Sequence, residues 1–143
     1  MCSPSGYDRL YGRSTSGLAK LLCMVFSLSG ILCILLSSAP LTNLRGLVYL
    51  CVMAIACCGS ALVFLAHFCE MRHCRRRNAS KYELYFHATL AVMCFLASSA
   101  ALTLALVTYS IAAFFGYVAF CLHALEAWYN YRRYRQRDVS TQT

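Results

Sequence analysis

From Leu21 to Leu44 no charged side chain interrupts the chain, and from Gly46 to Ala66 again none does. Each run can supply the roughly 20 apolar residues that cross a ~30 Å hydrocarbon layer. A third run, Leu84 to Tyr131, is broken only by His87, His123 and Glu126. As one helix rising about 1.5 Å per residue it would reach about 70 Å, over twice the layer, so it must double back. The polar triplet Thr108-Tyr109-Ser110 near its middle is the natural turn. The pattern predicts four helices, about 18–38, 46–68, 84–107 and 111–131. Helices are the element to expect, because a segment surrounded by lipid must satisfy its own backbone hydrogen bonds.

The fold class that follows is an all-α integral membrane protein, a four-helix transmembrane bundle with short loops. It divides into an N-terminal segment (1–17), the four-span domain (18–135) and a tail (136–143). The first span competes with a cleavable signal peptide, since Ser37-Ser38-Ala39 offers small residues for a cut. Its apolar run is too long for a typical signal core, and Pro40 would follow the cut, so the span is expected to be retained.

Composition agrees with this pattern. Apolar residues make up 60% of the chain and charged residues 13%, where a soluble domain carries about 25% charged. The formal charge of +8 is confined to short blocks. Such clustering favours a membrane protein over a nucleic-acid binder, and no nucleic-acid partner is expected.

The blocks also give an orientation. Arg9, Arg13 and Lys20 lie before or at the start of the first span; Arg72, Arg75, Arg76, Arg77 and Lys81 lie between the second and third; Arg132, Arg133, Arg135 and Arg137 follow the fourth. These are twelve of the thirteen basic residues, and in a four-span chain all of them fall on one side. The positive-inside rule puts that side, with both termini, in the cytosol. Trp128, Tyr129, Tyr131 and Tyr134 fit an aromatic belt at the cytosolic end of the last helix. The basic patch Arg72, Arg75, Arg76, Arg77 and Lys81 would then face anionic lipid, each cation contributing about 1 kcal/mol. Ser80, three residues after Arg77, is a candidate phosphorylation site that would offset part of this charge.

Ten cysteines occur without any C-x-x-C spacing, and most lie inside spans, where they act as small packing residues. Cys2, Cys69 and Cys74 lie at or near the expected cytosolic membrane face and are candidates for S-acylation. Cys57-Cys58-Gly59 matches the CCG signature of tetraspanins, but it falls in mid-span and the loops are too short for that family or for claudin-like proteins.

Three acid and histidine pairs, His67 with Glu70, Glu83 with His87 and His123 with Glu126, stand at helical spacing near the cytosolic ends of their helices. Paired Glu and His in bundles can hold metals, but these match the strict order of no known metal fold, and no metal or cofactor is expected. His123 and Glu126 are candidates for an intramembrane polar contact. Glu126 lies well inside Arg132, and an ionisable group at such depth acquires a partner. His123, Tyr129, Asn130 or a group on helix three are the expected partners. There is no G-x-S-x-G, P-loop or G-x-G-x-x-G motif, and no enzymatic activity is expected.

Two stretches carry a family likeness. YELYFHATLAVMCFLASSAAL places Glu83, then Phe86-His87, then Phe95 to Ser99, and resembles the third span of MAL-type proteins. SIAAFFGYVAFCLHALEAWYNYRRYR, with Ala112-Ala113-Phe114-Phe115 and an aromatic, basic exit, resembles the last span of the MARVEL superfamily. Arg45-Gly46-Leu47-Val48-Tyr49 at the start of helix two is compatible with the same family. The resemblance spans about 18–135 and implies a non-catalytic tetraspan protein of vesicle trafficking, cargo sorting or membrane-microdomain organisation. Its expected location is the plasma membrane or endosomal and Golgi vesicles. The alternative class is a small channel, transporter or auxiliary subunit. Anionic and cholesterol-rich lipids, other membrane proteins and further copies of the chain are the expected partners. Ala97, Ala101 and Ala105, and Ala112 with Gly116, have the small-xxx-small spacing that brings helices close in lipid, with internal packing the expected use.

Asn78-Ala79-Ser80 is a glycosylation sequon that tests this orientation. Full-length protein expressed in mammalian cells is expected to show no endoglycosidase-sensitive mass shift at Asn78; a shift there would reverse the topology.

Overall fold

The computed structural model describes residues 15–37, 43–70 and 79–140, with backbone alone for 67–70, 79–80 and 136–140. These residues form four helices: α1 Thr15–Leu35, α2 Leu44–Glu70, α3 Ala79–Leu102 and α4 Val107–Ser140. All four are long and apolar enough to cross a membrane, and there is no strand among the described residues.

Helix α1 packs on α2 and α4, and α3 packs on α2 and α4, closing a four-membered ring. Cross-contacts give the directions. Lys20, early in α1, meets Glu126, late in α4. Arg45 at the start of α2 donates to Thr103 Oγ1 just past the end of α3, at 2.8 Å. Thr108 in the first turn of α4 donates to Ser37 just past α1, at 3.4 Å. Neighbouring helices therefore run antiparallel. The starts of α1 and α3 share one end of the bundle with the ends of α2 and α4.

The helix ends differ from the sequence expectation. Thr108, Tyr109 and Ser110 belong to the first turn of α4, and the reversal occurs over 103–106. Their polar groups have partners without leaving the helix. Ser110 Oγ bonds back to the Leu106 carbonyl at 3.1 Å, Thr108 reaches Ser37, and Tyr109 is buried. Helix α3 is closed by short backbone bonds, Leu104 N to Ala101 O and Ala105 N to Leu102 O, and Ala105 turns the chain with φ of 52°. Ala105 accordingly drops out of the small-residue row predicted for α3. Elsewhere serines satisfy their hydroxyls on the preceding turn, as Ser98 does on the Cys94 carbonyl and Ser99 on that of Phe95.

The interior is built from small residues around one large one. Ala97, Ala101, Ala112, Ala113 and Ala119 are buried between the helices, so the small rows of α3 and α4 serve internal packing. Tyr49 of α2, also fully buried, fills the space they leave and donates its hydroxyl to the Ala112 carbonyl of α4. A methyl group placed on Gly30 of α1 would meet that hydroxyl; one on Gly116 of α4 would meet Ser98 Oγ and the Tyr49 ring. Outward, the bundle presents leucines and aromatics such as Leu62, Phe114 and Leu125, each over 60% exposed. That surface is costly in water and costs nothing against hydrocarbon.

Gly116→Ala is expected to lower thermal stability in detergent by about 1–3 kcal/mol through overpacking. Adding Ser98→Ala, which removes the nearest obstructing atom, should recover part of the loss. Additive single and double variants in a thermal melt would contradict this packing.

Candidate functional site

Polar residues on three helices point into the bundle at its basic end. On α1, Ser16, Lys20, Cys23 and Ser27 follow at spacings of four, three and four and share one face. On α4, His123, Glu126 and Asn130 do the same, and α3 contributes His87. Apart from half-buried Ser16, all of these are buried, with Lys20, His87 and His123 fully so.

The centre of the cluster is an ion pair. Lys20 Nζ lies 3.5 Å from Glu126 Oε2, and Ser16 Oγ donates to the same oxygen at 3.1 Å. Lys20 Nζ also donates to Ser16 Oγ at 3.2 Å, closing a three-membered network between α1 and α4. A lone charge at this position would be expensive, and the pair with its hydroxyl offsets that cost.

One turn deeper, His87 Nδ1 and His123 Nδ1 approach to 3.1 Å, with ring centroids 5.4 Å apart. Such a contact needs a proton on one Nδ1 and a lone pair on the other, so the neutral rings hold opposite tautomers. Cys23 Sγ sits 4.0 Å from His123 Nδ1, a weak third contact from α1. His123 Nε2, Ser27 Oγ, Ser60 Oγ and Asn130 Nδ2 are buried with no hydrogen-bond partner among the described residues. Cys23 and His123 make a thiol and base pair in composition, and both are fully buried. Among the described residues no group of three or more His, Cys, Asp or Glu is arranged to hold a metal ion.

The sequence-predicted residues fall as follows. His123 and Glu126 both lie in the cluster, yet they face different partners: His123 turns to α3, and Glu126 turns to α1. The expected partners of Glu126 were on α3 and α4, and the structure supplies Lys20 and Ser16 instead. Lys20, counted in the sequence among the basic residues of the cytosolic side, is buried between the helices. Tyr129 is engaged by Arg133, whose guanidinium lies 5.0 Å from the ring centroid. Lys81 packs its ammonium 4.9 Å from the centre of the Tyr134 ring. Cys2, Arg72, Cys74, Arg75, Arg76, Arg77 and Asn78, with the side chains of His67, Cys69, Glu70 and Ser80, lie outside the described residues. The signal for the α1 half of the cluster was present in the 4-3-4 spacing of Ser16, Lys20, Cys23 and Ser27.

Comparisons of the chain with protein-family models, with curated proteins and with solved structures found no match.

Removing one partner of the ion pair strands the other. Lys20→Met or Glu126→Leu alone is expected to cost about 3 kcal/mol, whereas the double variant should return close to the parent stability or exceed it. A double-mutant cycle followed by thermal unfolding in detergent measures this. A coupling near zero would mean that the pair does not hold α1 to α4.

Proposed function

We propose that the protein is a non-catalytic tetraspan membrane protein of the MARVEL type, working in vesicle trafficking, cargo sorting or the organisation of membrane microdomains. The observation that carries this reading is the filled interior. Around mid-span Met53, Ala56, Leu90, Cys94 and Ala119 are buried in one cluster, and the buried charges Lys20 and Glu126 lie at one end of the bundle. A conduction path wants a continuous line of polar groups through the bilayer, and here apolar side chains predominate at mid-span, with Ser27 and Ser60 buried among them. What remains for function is the lateral surface, which meets lipid and neighbouring spans, and the segments beyond the bundle.

In this reading both termini and the 71–78 segment are cytosolic, as the distribution of arginine favours. Acylation of Cys2, Cys69 or Cys74 would tie those segments to the membrane. The protein resides at the plasma membrane or on endosomal and Golgi vesicles. Its MARVEL character rests on the residues quoted from its third and fourth spans. In the bundle Ala112 and Ala113 face the core while Phe114 faces outward, a division suited to a helix that packs and presents at once.

Proximity labelling with the full-length chain in living cells, against a control with scrambled spans, tests the reading. Vesicle-coat, sorting and receptor proteins are expected to be enriched, and purified protein in liposomes should pass no ion flux above empty vesicles. Identical neighbours for both chains, or a robust flux, would overturn it.

A further inference from the structure

On the outer face of the α3 and α4 seam, away from the polar cluster, lies a groove of about 440 Å³. Leu84, Ala88 and Ala91 of α3 and Ala124, Ala127, Trp128 and Tyr131 of α4 line it, so alanines make up most of its floor. Its surface is almost entirely apolar. Ala91 and Ala127 are buried at the seam, and the short alanine side chains leave room above them. Trp128 and Tyr131 stand with ring centroids 6.1 Å apart and are 61% and 42% exposed.

Charge is placed at one end of this groove only. Arg132 and Arg135 follow Trp128 and Tyr131 by one helical turn, on the same face of α4, and both are exposed. From α3, Lys81 comes across to the ring of Tyr134 at 4.9 Å and sets a third cation at the same level. Glu126, next to the groove residue Ala127, is turned inward and held by Lys20 and Ser16, while Glu83 of α3 and Asp138 of α4 also belong to this end of the two helices.

We infer that the groove is a binding site for one anionic glycerophospholipid, its acyl chain lying on the alanine floor beside Trp128 and its headgroup meeting Arg132, Arg135 and Lys81. The apolar groove sets where the chain lies, and the cationic rim sets which headgroup is preferred. A zwitterionic lipid fills the same groove but brings its own cation to three others. The site rests on the four-span membrane reading and adds a defined lipid to it; it does not depend on a role in trafficking.

Trp128 is the only tryptophan of the chain, so its fluorescence reports the groove without a label. Full-length protein is reconstituted in phosphatidylcholine vesicles containing a fixed mole fraction of phosphatidylserine or phosphatidylcholine brominated on the acyl chain. Brominated phosphatidylserine is expected to quench Trp128 with an apparent preference of about fivefold over brominated phosphatidylcholine. Arg132→Gln with Arg135→Gln should remove the preference. Ala88→Leu, at an exposed position where folding is spared, should remove the excess quenching, with an unchanged thermal melt as the control. Equal quenching by the two lipids, or a preference that survives either variant, would overturn the site. Because the assay uses vesicles, its failure leaves the cellular labelling result untouched, and the reverse also holds.

Discussion

Lys20 and Glu126 face each other inside a bundle whose outer surface is hydrocarbon-seeking, and this single pairing constrains much of what surrounds it. Neither charge has water to turn to, so α1 must present its Ser16, Lys20 and Cys23 face to α4. That rotation leaves Leu18, Val25 and Leu32 of α1 outward, toward the lipid. It also brings Cys23 to His123, whose ring is then opposed by His87 from α3. Three helices are thereby set in register at one end by groups that cannot be solvated separately.

The opposite half of the bundle is held by shape. Alanines on α3 and α4 bring those backbones close, and Tyr49 occupies what they leave, its hydroxyl anchored on the Ala112 carbonyl. Gly30 and Gly116 are where another side chain would collide with this tyrosine. In lipid, where apolar burial gives no drive for helices to associate, such close contact supplies dispersion energy, and the polar cluster supplies direction. The two ends are thus stabilised by different physics, one by paired polarity and the other by complementary volume.

Four spans were legible in the sequence, because length and absence of charge are properties of contiguous residues. The turn was misplaced for the same reason that the spans were found. Thr108, Tyr109 and Ser110 look like a break when polarity alone is counted, but hydroxyls can bond to the preceding turn or to a neighbouring helix and stay helical. Glu126 could be marked as needing a partner from its depth along the chain. Its partner could not be named, since Ser16 and Glu126 are 110 positions apart and a census of basic residues treats every lysine as a surface charge. Only the face shared by Ser16, Lys20, Cys23 and Ser27 hinted otherwise. The outer groove had no sequence signal, because it arises from alanines on two helices meeting side by side.

That separation of 110 positions also imposes an order on synthesis. Lys20 enters with the first helix and Glu126 arrives with the last, so this ion pair can form only once α4 is made. The contact between α1 and α4 is therefore among the last the bundle can make. The ion pair is thus a clasp between the first helix and the last, made across the whole length of the chain.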